Sequence, residues 1–238
     1  TTNNFIGNVP ASASGAIQNT SLGINALNPI TSGNFNVGIG YSAGSAITTG
    51  GKNTTVGRAA LANVSTNSGS TAVGYQAGFI STAGDSVYVG NEPGRANTAT
   101  GHISIGHKAG YSQTSGASNT NLGYQAGYQN TTGLRRTHLG YESGRYNSGS
   151  YNTGVGYRAC NGFFSFGTGQ GTGEHNTAVG NGSMSALNGT GAANNTAVGS
   201  GSLSGVLTGG NNTAIGRLAG GSITSGSNLT VIGYDADA

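Results

Sequence analysis

The sequence predicts an all-β protein, a parallel β-solenoid of about fourteen rungs with a 16–17-residue period. Three observations predict it. A glycine recurs at a near-constant short interval, an aliphatic residue precedes every one of those glycines, and an asparagine lies four residues before most of them. The anchors are Gly7, Gly23, Gly40, Gly57, Gly74, Gly90, Gly106, Gly123, Gly140, Gly156, Gly180, Gly199, Gly216 and Gly233, and neighbouring anchors lie 16 or 17 residues apart except for steps of 24 and 19 after Gly156 and Gly180. A period this short marks a repeat whose units bury their apolar faces only by stacking on one another.

The residue before the glycine is Ile6, Leu22, Ile39, Val56, Val73, Val89, Ile105, Leu122, Leu139, Val155, Val179, Val198, Ile215 or Ile232. Two positions earlier stands Thr, Val or Ile in nearly every copy (Thr54, Thr71, Val87, Ile103, Thr120, Thr213), and the residue between varies freely. This is the period-two alternation of a strand with one face in and one face out. The regular Thr and aliphatic columns are expected to face inward, and the variable column (Ala72, Ser104, Asn121, His138, Gly154, Ala178) outward. Three residues past the glycine only Ala, Ser or Pro occurs, as at Ala26, Ala43, Ala77, Ala126 and Ala219, so the cross-section is expected to be thin. The anchor glycine suits a positive φ or a close backbone approach. The asparagines (Asn3, Asn19, Asn36, Asn53, Asn119, Asn152, Asn176, Asn195, Asn212) are expected to form a structural corner, because Asn tolerates left-handed turns and stacked amides hydrogen-bond along an axis. The residues that best define the repeat are Asn53, Val56, Gly57, Asn119, Gly123, Asn176, Val179, Gly180, Asn195, Val198, Gly199, Asn212, Ile215 and Gly216.

Composition narrows the class further. Of 238 residues 47 are Gly, 3 are Pro, none is Trp and only 6% are charged. Glycine does not fall at every third position, which excludes collagen. A disordered low-complexity chain would not hold an aliphatic column in register. The chain is expected to be one Gly-rich solenoid domain over 1–238, irregular over 1–35, where Pro10 and Pro29 interrupt, and a fragment of a longer fibrous protein. At one strand spacing per rung it would extend roughly 65 Å.

Residues 157–179 are expected to carry a loop insertion, because the spacing jumps to 24 there and half of the six phenylalanines lie in it. Phe163, Phe164 and Phe166 are thereby candidate receptor contacts, with Arg135, Arg136 and Arg145 on variant rungs as the second choice. A tyrosine column follows the anchor (Tyr41, Tyr75, Tyr124, Tyr141, Tyr157, Tyr234), read as packing along the axis in preference to a ligand surface.

Several function classes lose support. A formal charge of +3 from nine basic and six acidic residues is too sparse for a phosphate-binding stripe, so no nucleic-acid partner is expected. The six carboxylates fall at different offsets and mostly on well-separated turns, which makes a paired acid and base hard to assemble. His102, His107, His138 and His175 lack metal spacing and are expected to be surface residues. Cys160 reads as a small buried hydrophobe. Neither catalysis nor a cofactor is expected, and no segment reads as a membrane span.

Near-intact copies of Asn-Thr-Ala-Val-Gly-Tyr-Gln-Ala-Gly occur at Ser70 to Gly78 and Asn119 to Gly127. They resemble the head repeats of trimeric autotransporter adhesins of the YadA type and the related repeats of phage and bacterial tail fibres. The resemblance implies a left-handed parallel β-roll, three chains side by side, and attachment to a cell surface or matrix. The period here is longer than the autotransporter head's, and neither membrane anchor nor stalk is seen. The expected function is that of an extracellular fibre segment at a cell surface or on a virion. Its partners would be its own copies and a host-cell or matrix component, glycans included. A meagre core per rung supports association independently, because a second buried face would offset the ordering cost of a Gly-rich chain. The alternatives are a self-assembling filament subunit and an ice-binding solenoid, the latter disfavoured if the Thr column points inward.

Overall fold

The computed structural model describes residues 6–8, 18–82, 84–162, 171–187, 192–206 and 208–237. The chain divides into two compact units, Thr1–Ser118 and Asn119–Ala238. Among the described residues the regular secondary structure is three-residue β-strands: β1 (Ile6–Asn8), β2 (Thr20–Leu22), β3 (Val37–Ile39), β4 (Thr54–Val56), β5 (Thr71–Val73), β6 (Val87–Val89), β7 (Ile103–Ile105), β8 (Thr120–Leu122), β9 (Thr137–Leu139), β10 (Thr153–Val155), β11 (Thr177–Val179), β12 (Thr196–Val198), β13 (Thr213–Ile215) and β14 (Thr230–Ile232).

In the first unit β2 to β7 pair in parallel, each with the next, and in the second β8 to β14 do the same. Register never slips: Thr sits beside Thr and an aliphatic residue beside an aliphatic residue at every step of the second unit, as in Thr196↔Thr213 and Val198↔Ile215. Both units are parallel β-solenoids. The first copy is an exception to the expected rung count, since β1 runs antiparallel to β2 with Ile6 opposite Leu22.

The direction of the strand faces is the main correction to the sequence reading. In every strand from β2 to β14 the middle residue is buried and neither flanking residue is. The Thr and aliphatic columns, including Val56, Val179, Val198 and Ile215, therefore point out, and the variable column points in. The reason is the thinness of the coil. The inner face meets the fully buried alanines Ala43, Ala77, Ala109, Ala126, Ala159 and Ala219 across a lumen that admits small side chains or mutually adapted ones. Where the middle residue is large, the position four after the anchor is glycine: a Cβ on Gly78 would lie 2.7 Å from Cδ2 of Tyr88. Where that position is leucine, the middle residue shrinks, and a Cβ on Gly38 would lie 2.7 Å from Cγ of Leu27. The Tyr88 hydroxyl is met inside the lumen by Ser81 Oγ at 2.8 Å and by Asn97 Nδ2, which donates at 3.0 Å.

The asparagine column forms a buried ladder. Asn195 Oδ1 accepts the backbone N–H of Asn212 at 2.9 Å, while Asn195 Nδ2 donates to Gly209 O at 2.9 Å and to Asn176 Oδ1 at 3.1 Å. Asn36 and Asn53 repeat the pattern in the first unit, with Asn53 N–H donating to Asn36 Oδ1 at 3.0 Å and Asn53 Nδ2 to Asn67 O at 2.7 Å. The side chain thus substitutes for the strand ladder at the corner, where the backbone turns away from its neighbour. Asn195→Ala leaves the Asn212 N–H and the Gly209 carbonyl buried and unpaired. It is expected to cost about 2 to 3 kcal/mol, read as a lower urea midpoint at unchanged slope.

Candidate functional site

Two surfaces follow from these columns. The first is the outward face of the sheet. In the second unit Thr120, Thr137, Thr153, Thr177, Thr196, Thr213 and Thr230 form an unbroken column beside Leu122, Leu139, Val155, Val179, Val198, Ile215 and Ile232. Leu122, Leu139, Val198 and Ile215 are 39 to 44% exposed, as are Leu22, Ile39, Val73 and Ile103 of the first unit at 36 to 41%. No Asp, Glu, Lys or Arg falls on either column. Within each unit an apolar stripe that repeats from rung to rung exceeds what single exposed hydrophobics explain.

The second surface is the edge that follows the anchor glycine. Tyr124, Tyr141 and Tyr157 stack at 4.9 and 5.3 Å with interplanar angles of 9° and 10°. Stacking covers both faces of Tyr141 and one face each of Tyr124 and Tyr157, and Arg158 lies 5.2 Å from the Tyr157 centroid. One residue further on, the chain turns through left-handed corners where Glu92 and Glu142 adopt φ of 54° and 53°. These two carboxylates occupy the same offset in their rungs, contrary to the sequence reading. Each gathers two cations in the same pattern. Glu142 Oε1 is 2.7 Å from Arg145 Nη1 and its Oε2 is 2.7 Å from Arg158 Nε. Glu92 lies 3.7 Å from Arg95 Nε and 3.6 Å from Lys108 Nζ. Aromatic rings frame both: Arg145 sits 5.7 Å from the Tyr128 ring centroid and 4.8 Å from that of Tyr146, and Arg95 lies 5.5 Å from that of Phe79 and 5.7 Å from that of Tyr111. The signal was in the sequence, a Glu two residues after the anchor with an Arg three residues on and a base sixteen on, but it shows only once the rungs are stacked.

The residues singled out from sequence separate. Phe163, Phe164 and Phe166 lie outside the described residues. Arg135 is exposed and rests 5.8 Å from the Tyr151 ring, which stacks on His175 at 4.6 Å. Arg145 belongs to the Glu142 corner. Arg136 is 1% exposed and is withdrawn as a surface contact. It takes the asparagine place in its rung, so its side chain points into the coil. There Nε donates to Asn119 Oδ1 at 3.1 Å, Nη1 donates to Asn147 O at 3.0 Å, and Nη2 is buried without a partner. Burial pushes the guanidinium down to about 9. No carboxylate pairs with it among the described residues. Below that pH the charge is present in both the folded and the unfolded chain, and the fold bears its full desolvation cost. Arg136→Asn, which restores the ladder residue, is expected to stabilise the chain by about 1 to 3 kcal/mol at neutral pH. Urea melts of the two chains at pH 7 check it.

His102 and His138 are also buried and not, as expected from sequence, on the surface. They occupy lumen columns, His102 in the asparagine place and His138 in the middle of β9. Cys160 is buried, Asn147 Nδ2 donates to its Sγ at 3.0 Å, and burial pushes the thiol up to about 12, so it stays protonated. Among the described residues no group of three His, Cys, Asp or Glu side chains could hold a metal ion, and no helix is long and apolar enough to cross a membrane. The sequence matches no family model, no curated protein and no solved structure.

Proposed function

We propose that this chain is a non-catalytic segment of an extracellular fibre, of the kind found in adhesin heads and tail fibres, in which copies pack together and carry the assembly to a cell-surface or matrix component. The observation that carries the reading is the outward Thr and aliphatic stripe. A chain that places its most regular apolar column outside and its variable, mixed column inside has a second partner for the outer one. A second and a third copy of the same face, related by a closed symmetry axis, satisfy it with β-branched side chains already in register. The repeat's resemblance to YadA-type heads supports three copies. The buried His138 and Cys160, and a Glu142 carboxylate held by two guanidinium groups, offer no free acid, base or nucleophile, which supports a structural role. Attachment of the fluorescently labelled chain to whole cells and to matrix polysaccharide, against a scrambled-repeat control, tests the adhesive part. Binding no stronger than the control's on every surface would sink it.

One observation favours a second reading. The Thr column faces out, which an ice-binding solenoid requires and the sequence reading had denied. The hydroxyls repeat at one strand spacing, ~4.8 Å, from rung to rung of the second unit. Thermal hysteresis of the freezing point in a solution of single chains would support this reading. Its absence, together with a threefold mass, would leave the fibre.

A further inference from the structure

The Glu142 corner borders an open hollow of about 310 Å³ whose lining includes Glu142, Arg145, Tyr146, Arg158, Asn161 and Ser185. A space of that size accepts one sugar residue. Two of its lining residues bring a buried polar atom with no partner, the Arg145 Nε–H as donor and the Asn161 Oδ1 as acceptor. Buried groups left unpaired in a folded chain are rare and call for something to pair with them. Glu142 is only 4% exposed and spends both oxygens on Arg145 and Arg158, so the corner holds two positive charges against one negative. Arg158 engages Glu142 through Nε, and its side chain is 47% exposed, which leaves the outer edge of the guanidinium fork facing solvent. The aromatic faces nearby are occupied: Arg145 covers Tyr146, and Tyr141 and Tyr157 stack on each other. Recognition here therefore depends on hydrogen bonds and charge and not on ring stacking.

We propose that this corner binds a sugar acid, a sialate or uronate residue, with its carboxylate on the exposed Arg158 fork and a hydroxyl donated to Asn161 Oδ1 after that amide turns out into the hollow. One carboxylate balances the single excess positive charge. A phosphate dianion would exceed that single charge, and a neutral sugar would leave the Arg158 fork without its anion. The proposal rests on the adhesive reading, for which it names the chemistry of the receptor.

The test is a calorimetric and saturation-transfer NMR titration of the full chain with 3′-sialyllactose, a glucuronate oligomer and lactose. Saturable binding of at least one acid is expected, weakened at least about tenfold in Arg158→Gln and in Asn161→Ala. The circular dichroism and particle mass of both variants should match the parent. Binding of sialyllactose alone identifies a host glycan, and binding of the uronate alone a matrix polysaccharide. Binding of lactose as tight as either acid, or of neither acid, overturns the site. If both variants lose the sugar acid while cell attachment persists unchanged, the site is not the receptor contact and the adhesive reading survives. If the sugar acid binds but no surface is bound, the site stands and the adhesive reading falls.

Discussion

Acidification is expected to remove up to about 5 kcal/mol of stability through a single side chain, His138. The imidazole lies in the lumen of the second unit, where its Nδ1 is 3.3 Å from Asn121 Oδ1 and its Nε2 is buried with no partner. With Nδ1–H donating to the amide oxygen, the second proton would have to enter at Nε2, where no acceptor waits. Burial first, and the nearby charge of Arg136 second, push the group down from 6.5 to about 3. The unfolded chain takes up the proton as pH falls below 6.5, while the folded chain does so only near 3. The unfolded state thus binds more protons throughout that window, so stability is full above it and declines as pH falls through it. Urea melts followed by circular dichroism between pH 7 and 3 should show this decline in the parent. His138→Asn, which copies the Asn121 of the preceding rung, should lose much of it. A variant whose stability falls as steeply as the parent's would contradict a neutral, buried His138.

Gly156→Ala is expected to cost about 4 kcal/mol or more, a loss outside the ordinary range for one methyl group. The anchor glycine holds φ at +131°, a region that L residues rarely enter, and an added Cβ would lie 2.6 Å from Gly180 O and 2.8 Å from Gly180 C. The rungs would have to part there, straining the 2.8 Å bond from Gly180 N–H to Val155 O. Gly182→Ala is the control. Its φ is +63° and nothing lies within 4 Å of the added methyl, so only the left-handed preference is lost, about 1 kcal/mol. Equal losses at the two sites would mean that backbone conformation, and not the closeness of the stack, fixes the anchor.

The contrast between those glycines also shows how much of the fold was legible. The anchor column and the aliphatic column before it repeat on every turn and the asparagine corner on most, and repetition is visible without coordinates. Parity could not be read the same way. Alternation separates Ala72 and Asn121 from Val73 and Leu122, but it does not say which set faces the lumen. The usual rule, apolar inward, fails when the outer face is apolar and the lumen is thin enough for hydrogen-bonded Asn, His and Ser side chains to stack. The burial of Arg136 was hidden for the same reason: an arginine in an asparagine column resembles a surface variant until the column is found to point inward. The Glu92 and Glu142 clusters were missed because their basic partners lie partly on the next rung, sixteen residues away.

The central claim is that the outward Thr and aliphatic face is a seam between copies of this chain. Light scattering on the purified chain over a hundredfold range of concentration tests it most directly. The account predicts a particle of constant mass near three times 23.3 kDa. A constant mass of one chain would contradict it, since the stripe would then be exposed to water along every rung.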